Sequence, residues 1–258
     1  MSGDDGIIYS TSRVAEAAGV HPNTVRLYEE WKLIPPVPRG GNGYRQFREY
    51  HLWQMCFARK ALEGQWAGRT LRSSVYEIVY RSRDGDLAGA LTLAENHLGL
   101  VRKEQKRAEE AAAILQRWAS GEIEPESDEV LLISEVSRRL NVSADRLRSW
   151  ERNRLLEVPR HPSSGYRLYG SAELERLKII RMLLLAGYST MAVLRMMSML
   201  DEGQTDSLRE ILNTPHPDED VYTAFDEWLT SLKRQENKAL ELVLLLEERI
   251  GSRGPGLY

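Results

Sequence analysis

One cysteine, Cys56, is present in 258 residues. A lone thiol excludes an internal disulfide and a multi-thiolate metal site. It lies in Y-H-L-W-Q-M-C-F-A-R, a predicted helix, and reads as a small buried hydrophobe rather than a redox thiol. Long apolar runs are missing too, and none approaches the ~20 residues that span a bilayer. The longest, L-V-L-L-L from Leu242 to Leu246, is hemmed in by Glu241, Glu247, Glu248 and Arg249. The opening M-S-G-D-D-G is acidic and lacks the basic stretch of a signal peptide, so a cytoplasmic location without membrane partners is expected. His21, His51, His97, His161 and His216 are scattered, with no carboxylate or thiol at motif spacing. A phosphate-binding glycine loop is absent. Neither an enzyme nor a cofactor is expected.

What is present is a globular composition, with 42% hydrophobic and 28% charged residues. It also contains a repeat. Around Val14 the chain runs V-A-E-A-A-G-V-H-P-N-T-V-R-L-Y-E-E-W-K-L-I, then G-N-G-Y-R-Q-F. Around Val136 it runs V-S-R-R-L-N-V-S-A-D-R-L-R-S-W-E-R-N-R-L-L, then S-S-G-Y-R-L-Y. An offset of 122 pairs Val14 with Val136, Arg26 with Arg148, Glu29 with Glu151, Tyr44 with Tyr166 and Arg45 with Arg167, without a gap. Self-similarity of this kind sets the architecture before any local reading. The net charge of −3 conceals an imbalance: residues 8–60 carry eight Lys/Arg against four Asp/Glu, and residues 131–182 eleven against six. The rest of the chain is acidic. Basic heads on acidic connectors suit a surface that meets an anionic polymer.

Within each copy the local signals agree. Ser10-Thr11-Ser12 caps a short helix to Ala18, Gly19 supplies a tight turn, and His21-Pro22-Asn23 opens a second helix ending near Trp31-Lys32. Three prolines and Gly40-Gly41-Asn42-Gly43 then predict a small hairpin flanked by Arg39 and Arg45. A helix follows over about Arg48 to Glu63. In the second copy the corresponding pieces are Ile133 to Leu140, the turn residue Asn141, the cap Ser143, a hairpin from Pro159 to Tyr169 and a helix from about Ser171 to Ala186, with another starting near Ser189. Two tails repeat at a shift of about 134. Leu91, Leu98, Ala108 and Leu115 suggest an apolar stripe in one, and Leu232, Leu240, Val243 and Leu246 in the other. The fold class expected is mainly α: two winged helix-turn-helix domains with small β-hairpin wings and helical, coiled-coil tails. The boundaries are 8–82 for the first winged helix-turn-helix and 83–121 for its tail helix. An acidic linker at 122–130 leads to the second winged helix-turn-helix at 131–202. A connector at 203–219 and a C-terminal tail helix at 220–250 complete the chain.

T-V-R-L-Y-E with K-L-I and N-G-Y-R-Q-F resembles the N-terminal domain of the MerR family of bacterial transcription regulators. D-R-L-R-S-W-E with R-L-L and S-G-Y-R-L-Y resembles it a second time. Members of that family normally carry one such domain and dimerise through an antiparallel coiled coil; this chain departs by carrying two. The resemblance implies contacts to double-stranded DNA from Arg26, Tyr28 and Arg45, and from Arg148, Trp150 and Arg167. Base reading is expected near Asn23, Thr24, Ala144 and Arg146, at the starts of the recognition helices, with Arg39 and Arg160 beside the wings. Glu29 and Glu151 read as ion-pair or capping residues, and Tyr44 and Tyr166 as residues packing the wings.

The function expected is a sequence-specific transcription regulator reading two unlike half-sites, either as an internal pseudodimer or as a homodimer with four readers. The resemblance adds RNA polymerase as a partner, with a small hydrophobic effector bound between the modules. Trp66, Tyr76, Tyr80, Trp118, Tyr188, Tyr222 and Trp228 are candidates to line such a cleft, although aromatic and Met-rich stretches are more often core. The alternative is a MerR-like protein that sequesters a drug-like ligand without regulating a gene.

Overall fold

The computed structural model describes residues 7–63, 66, 69–122, 129–204, 208–213 and 227–252. Among them β-structure is confined to four isolated antiparallel bridges, and helices dominate. In chain order these are α1 (Thr11–Ala17), α2 (Pro22–Glu30), α3 (Glu49–Leu62), α4 (Arg69–Arg83), α5 (Leu87–Ala119) and α6 (Ile133–Leu140). They continue with α7 (Ala144–Arg152), α8 (Ser171–Leu185), α9 (Thr190–Asp201), α10 (Leu208–Asn213) and α11 (Trp228–Ser252). Two compact units result. Unit 1 is Met1–Arg102 with Arg234–Tyr258, and unit 2 is Lys103–Lys233.

Unit 1 is built on helix starts and stops that the sequence supplies. The Ser10 hydroxyl accepts from the Arg13 amide at 3.2 Å and caps α1. Gly19, at φ +62°, turns the chain into α2. At the head of α3, His51 Nδ1 accepts from the Arg48 amide at 3.0 Å, while its Nε2 lies 3.1 Å from the Pro36 carbonyl. Both contacts are satisfied by the neutral ring with its proton on Nε2. Burial holds the His51 pKa below the usual histidine value. Gln54, buried beneath these helices, donates to the carbonyls of Leu33 and Val79, both at 3.1 Å, and accepts from Ser82 at 3.1 Å. Val14, Val25, Phe47, Phe57, Ile78 and Val79 form the centre of the core.

The same core takes in Leu87, Ala90 and Ala94 of α5 and Leu242 and Leu246 of α11. Arg102 meets Glu236 at 2.7 Å, so within unit 1 the early part of α5 runs antiparallel to the later part of α11. Buried positions on α5 are Leu87, Ala90, Ala94, His97, Leu98, Val101, Ala108, Ala111, Ala112 and Leu115. On α11 they are Trp228, Leu229, Ser231, Leu232, Gln235, Ala239, Leu242 and Leu246. Most recur at steps of three and four, the heptad spacing of a coiled-coil seam, with a step of seven between Val101 and Ala108. Of the expected stripes, Leu98, Ala108, Leu115, Leu232 and Leu246 are buried, while Leu91, Leu240 and Val243 are half-buried.

Unit 2 repeats the plan with other residues. Asn141, at φ +50°, takes the place of Gly19. Glu173 accepts from the Gly170 amide at 2.8 Å, where unit 1 uses His51. Arg176 donates to the Leu155 carbonyl at 2.8 Å, where unit 1 uses Gln54 on Leu33. The Tyr188 hydroxyl reaches the Ala108 carbonyl at 3.1 Å, and burial drives its pKa well up. Trp228 donates to the Ala186 carbonyl at 2.8 Å. Met196 and Met197 are buried, while Met191 is exposed. Residues 123–128 of the acidic linker, much of the 203–219 connector, and the start of the C-terminal tail with Tyr222 lie outside the described residues. No described helix is long and apolar enough to cross a membrane.

Candidate nucleic-acid interface

In each unit a short helix, a left-handed turn residue and a second helix are followed by a chain reversal. The reversal in unit 1 is pinned by the bridge Arg39↔Arg45 and by the hydrogen bonds Gly40 N to Tyr44 O and Gln46 N to Pro38 O, both 2.8 Å. In unit 2 the bridge is Arg160↔Arg167, with His161 N to Tyr166 O at 2.8 Å. Arg39 and Arg160 are thus structural equivalents, although 121 residues separate them rather than 122. The second copy has one residue fewer before the reversal and one more inside it, and the two changes cancel in an ungapped comparison. A further bridge ties each reversal to the start of its domain, Tyr9↔Phe47 and Leu131↔Tyr169.

The predicted site residues separate by exposure. Asn23 and Arg26 are exposed near the start of α2, with Arg26 donating to the Asn23 side chain at 2.9 Å; Thr24 is half-buried. On α7, Arg146 is exposed, Ala144 is half-buried, and Arg148 pairs with Asp145 at 2.7 Å. Arg39 and Arg160 are exposed, each donating to a carbonyl of its own turn, Gly43 at 3.3 Å and Gly165 at 3.4 Å. His21 caps α2 through Nδ1, and His161 Nδ1 accepts within its turn from Ser163 and Ser164.

Two pairs depart from the sequence reading. Tyr28 and Trp150 are only 9% and 6% exposed, because their positions on α2 and α7 turn inward between the buried Val25 and Leu147 and the turn that follows. Their rings have little surface to offer a duplex. Tyr44 and Tyr166, expected to pack against the hairpins, are 75% and 69% exposed. Each follows a positive-φ glycine, Gly43 or Gly165, which swings the next side chain outward. The hint in the sequence was that glycine, but the direction depends on the register of the bridge.

Arg45 meets Glu29 at 2.5 Å, and Arg167 meets Glu151 at 2.6 Å, with all four side chains about one-fifth to one-quarter exposed. In unit 2, Arg160 adds a second contact to Glu151 at 3.2 Å. Each glutamate sits near the end of the second helix and fastens the reversal to it, the ion-pair role read from the sequence. Arg45 and Arg167 are therefore held at the junction of helix and reversal, and exposed cations on or next to the second helix and the reversal are Arg26, Lys32 and Arg39 in one unit and Arg146, Arg152, Arg154 and Arg160 in the other.

The described aromatics do not gather into a shared cleft within either unit. Tyr188 and Trp228 are core residues, Trp66 and Tyr76 pack against the unit 1 core, and Tyr80 is exposed. Among the described residues no group of three His, Cys, Asp or Glu side chains is placed to hold a metal ion.

Comparison with known proteins gives the same two places. The family model described as MerR family regulatory protein matches residues 10–47, and the one described as MerR HTH family regulatory protein matches residues 131–200. The chain is 38% identical over 50 residues to the HTH-type transcriptional regulator CueR of Yersinia pestis, over 19% of this chain and 36% of that protein. It thus spans about a third of that relative's length. No solved structure matches the chain. At residues 10–47 and at residues 131–200 the chain is thus similar to MerR-family regulatory proteins, two matches in tandem, and each falls on a helix-turn-helix whose reversal is clipped by a glutamate and an arginine.

Proposed function

We propose that the protein is a sequence-specific transcription regulator whose two winged helix-turn-helix modules read two unlike half-sites of one DNA duplex. The observation that carries this reading is a shared frame with different outward residues. Arg26 and Arg148 stand at equivalent places, as do the clips Glu29–Arg45 and Glu151–Arg167. Around them Asn23 is replaced by Asp145, Thr24 by Arg146, Leu27 by Ser149 and Glu30 by Arg152. Side chains near the start of a recognition helix read base edges, so helices that differ there prefer different bases.

In this reading the reversals at 38–46 and 159–168 are the wings, with Tyr44 and Tyr166 at their tips against the sugar-phosphate backbone, where a phenol serves as a hydrogen-bond donor. The clips fix each wing's angle to its helix. Both units draw on α5 and on α11, which supports tails exchanged between the halves of one chain and hence an internal pseudodimer. Regulation would follow from distorting or occluding a promoter occupied by RNA polymerase.

Single substitutions test the two-headed reading. Arg26→Ala and Arg148→Ala are each expected to weaken binding to a selected site by about 1–3 kcal/mol, roughly five- to 150-fold. Each is expected to relax base preference in one half of the site only. Loss of preference in both halves from either change would count against separate readers.

A further inference from the structure

A cavity of about 300 Å³ opens inside unit 1, and none of the residues assigned above to DNA reading lines it. Ala17 and Ala18 at the end of α1, Trp53 and Phe57 on α3, and Leu245 on α11 form apolar walls. Trp53 and Phe57 are stacked, with ring centroids 5.0 Å apart and planes 10° from parallel. Phe57 is buried and the Arg249 guanidinium lies 5.3 Å from the Trp53 ring, so what the cavity offers is a largely apolar lining, which suits a small hydrocarbon ring, and the volume sits at the lower end of the range for small-molecule sites.

The rim carries three charges, unequally used. Lys60 is paired with Glu241. Arg59 has longer contacts: the Gly19 carbonyl at 3.5 Å and Glu63, just past the end of α3, at 3.7 Å. These are at or beyond hydrogen-bond range, so the guanidinium keeps most of its donor capacity. A planar fork of donors beside an apolar slot matches a carboxylate attached to an aromatic ring.

We propose that this cavity is a binding site for small aryl carboxylates, with the ring between the walls and the carboxylate on Arg59. An occupant would touch α1 and α3 of the helix-turn-helix unit and α11 of the tail at once. The assignment does not depend on the DNA-reading proposal, and it places a ligand inside one unit rather than between modules.

Cys56 also lines the cavity and is the sole thiol of the chain, so its modification reports on the site without interference. The full-length protein would be treated with methyl methanethiolsulfonate at mildly alkaline pH, with and without 1-naphthoate. A saturable, several-fold slowing of Cys56 modification is expected. Arg59→Gln should raise the naphthoate concentration needed for protection by about tenfold, the scale of one charge-assisted hydrogen bond. Ala17→Leu, at an exposed position on the cavity mouth, should abolish protection while the circular dichroism spectrum stays unchanged. Absence of protection up to the solubility limit of naphthoate would overturn the proposal. Equal protection by uncharged 1-naphthamide, or protection unaffected by Ala17→Leu, would overturn it too.

Discussion

Glu29 and Glu151 show how one side chain settles the use of another. A carboxylate and a guanidinium that share a half-buried position are screened less than surface ions, so each pair holds its hairpin in one orientation. Both glutamates were legible as ion-pair residues, because an acidic side chain has no business against phosphate. The inward turn of Tyr28 and Trp150 was not, since an aromatic between charged neighbours suits the core and a duplex equally well. His97 is the other residue with a consequence. It is fully buried on the α5 seam, with Nδ1 2.7 Å from the Ser74 hydroxyl and the Trp66 ring at 4.7 Å. Ser74 donates to the Leu71 carbonyl, so the imidazole proton belongs on Nδ1, leaving Nε2 an acceptor without a partner among the described residues. Burial lowers the His97 pKa to about 4. The unfolded chain takes up a proton near pH 6.5 that the folded chain refuses until about 4. Stability is therefore full above about 6.5 and lost as pH falls toward about 4, by about 3 kcal/mol in all. Urea unfolding midpoints across this window should fall with pH, and His97→Leu should flatten most of the slope, leaving the smaller part owed to His51. Parallel slopes for the two proteins would contradict the assignment.

At the scale of elements, the repeat preserves roles more faithfully than residues. His51 and Glu173 both cap a helix from its third position, and Gln54 and Arg176 both hold the carbonyl of the leucine that follows a second helix. Comparing letters finds neither equivalence, because a ring nitrogen and a carboxylate oxygen share only their lone pairs. The helix boundaries were readable from Gly19, Pro22, Asn141 and Ser143, whose local chemistry acts without tertiary help. The leucines gave most of the tails' buried positions, such as Leu98, Leu115, Leu232 and Leu246, but not the alanines Ala90 and Ala94, whose small side chains carry little hydrophobic signal. Gly187 marks a closure that the sequence also hides. It has φ +101°, and a Cβ there would lie 2.6 Å from the Trp228 ring. Gly187→Ala combines left-handed strain with overpacking and is expected to destabilise unit 2 by about 2–4 kcal/mol. Calorimetry or denaturant titration would measure it, and a change under about 0.5 kcal/mol would mean that the Trp228 ring does not pack there.

For the whole molecule, the tandem arrangement was the most legible feature, because the paired arginines, glutamates and glycines recur at one spacing. What lay beyond the sequence was the composition of each unit, with α5 and α11 each divided between both. That division follows from two amphipathic helices whose stripes need a partner along their length. In the proposed reading, such a chain needs no second copy to present two readers, and its readers need not match. Selection of binding sites from a random duplex library by the purified protein tests this most directly, with salt dependence measured on the winning sequence. The account predicts a site of two unlike halves, centred at least one helical turn apart, whose affinity falls steeply with salt as phosphate contacts are lost. A strictly palindromic site, or no enriched sequence from correctly folded protein, would contradict it.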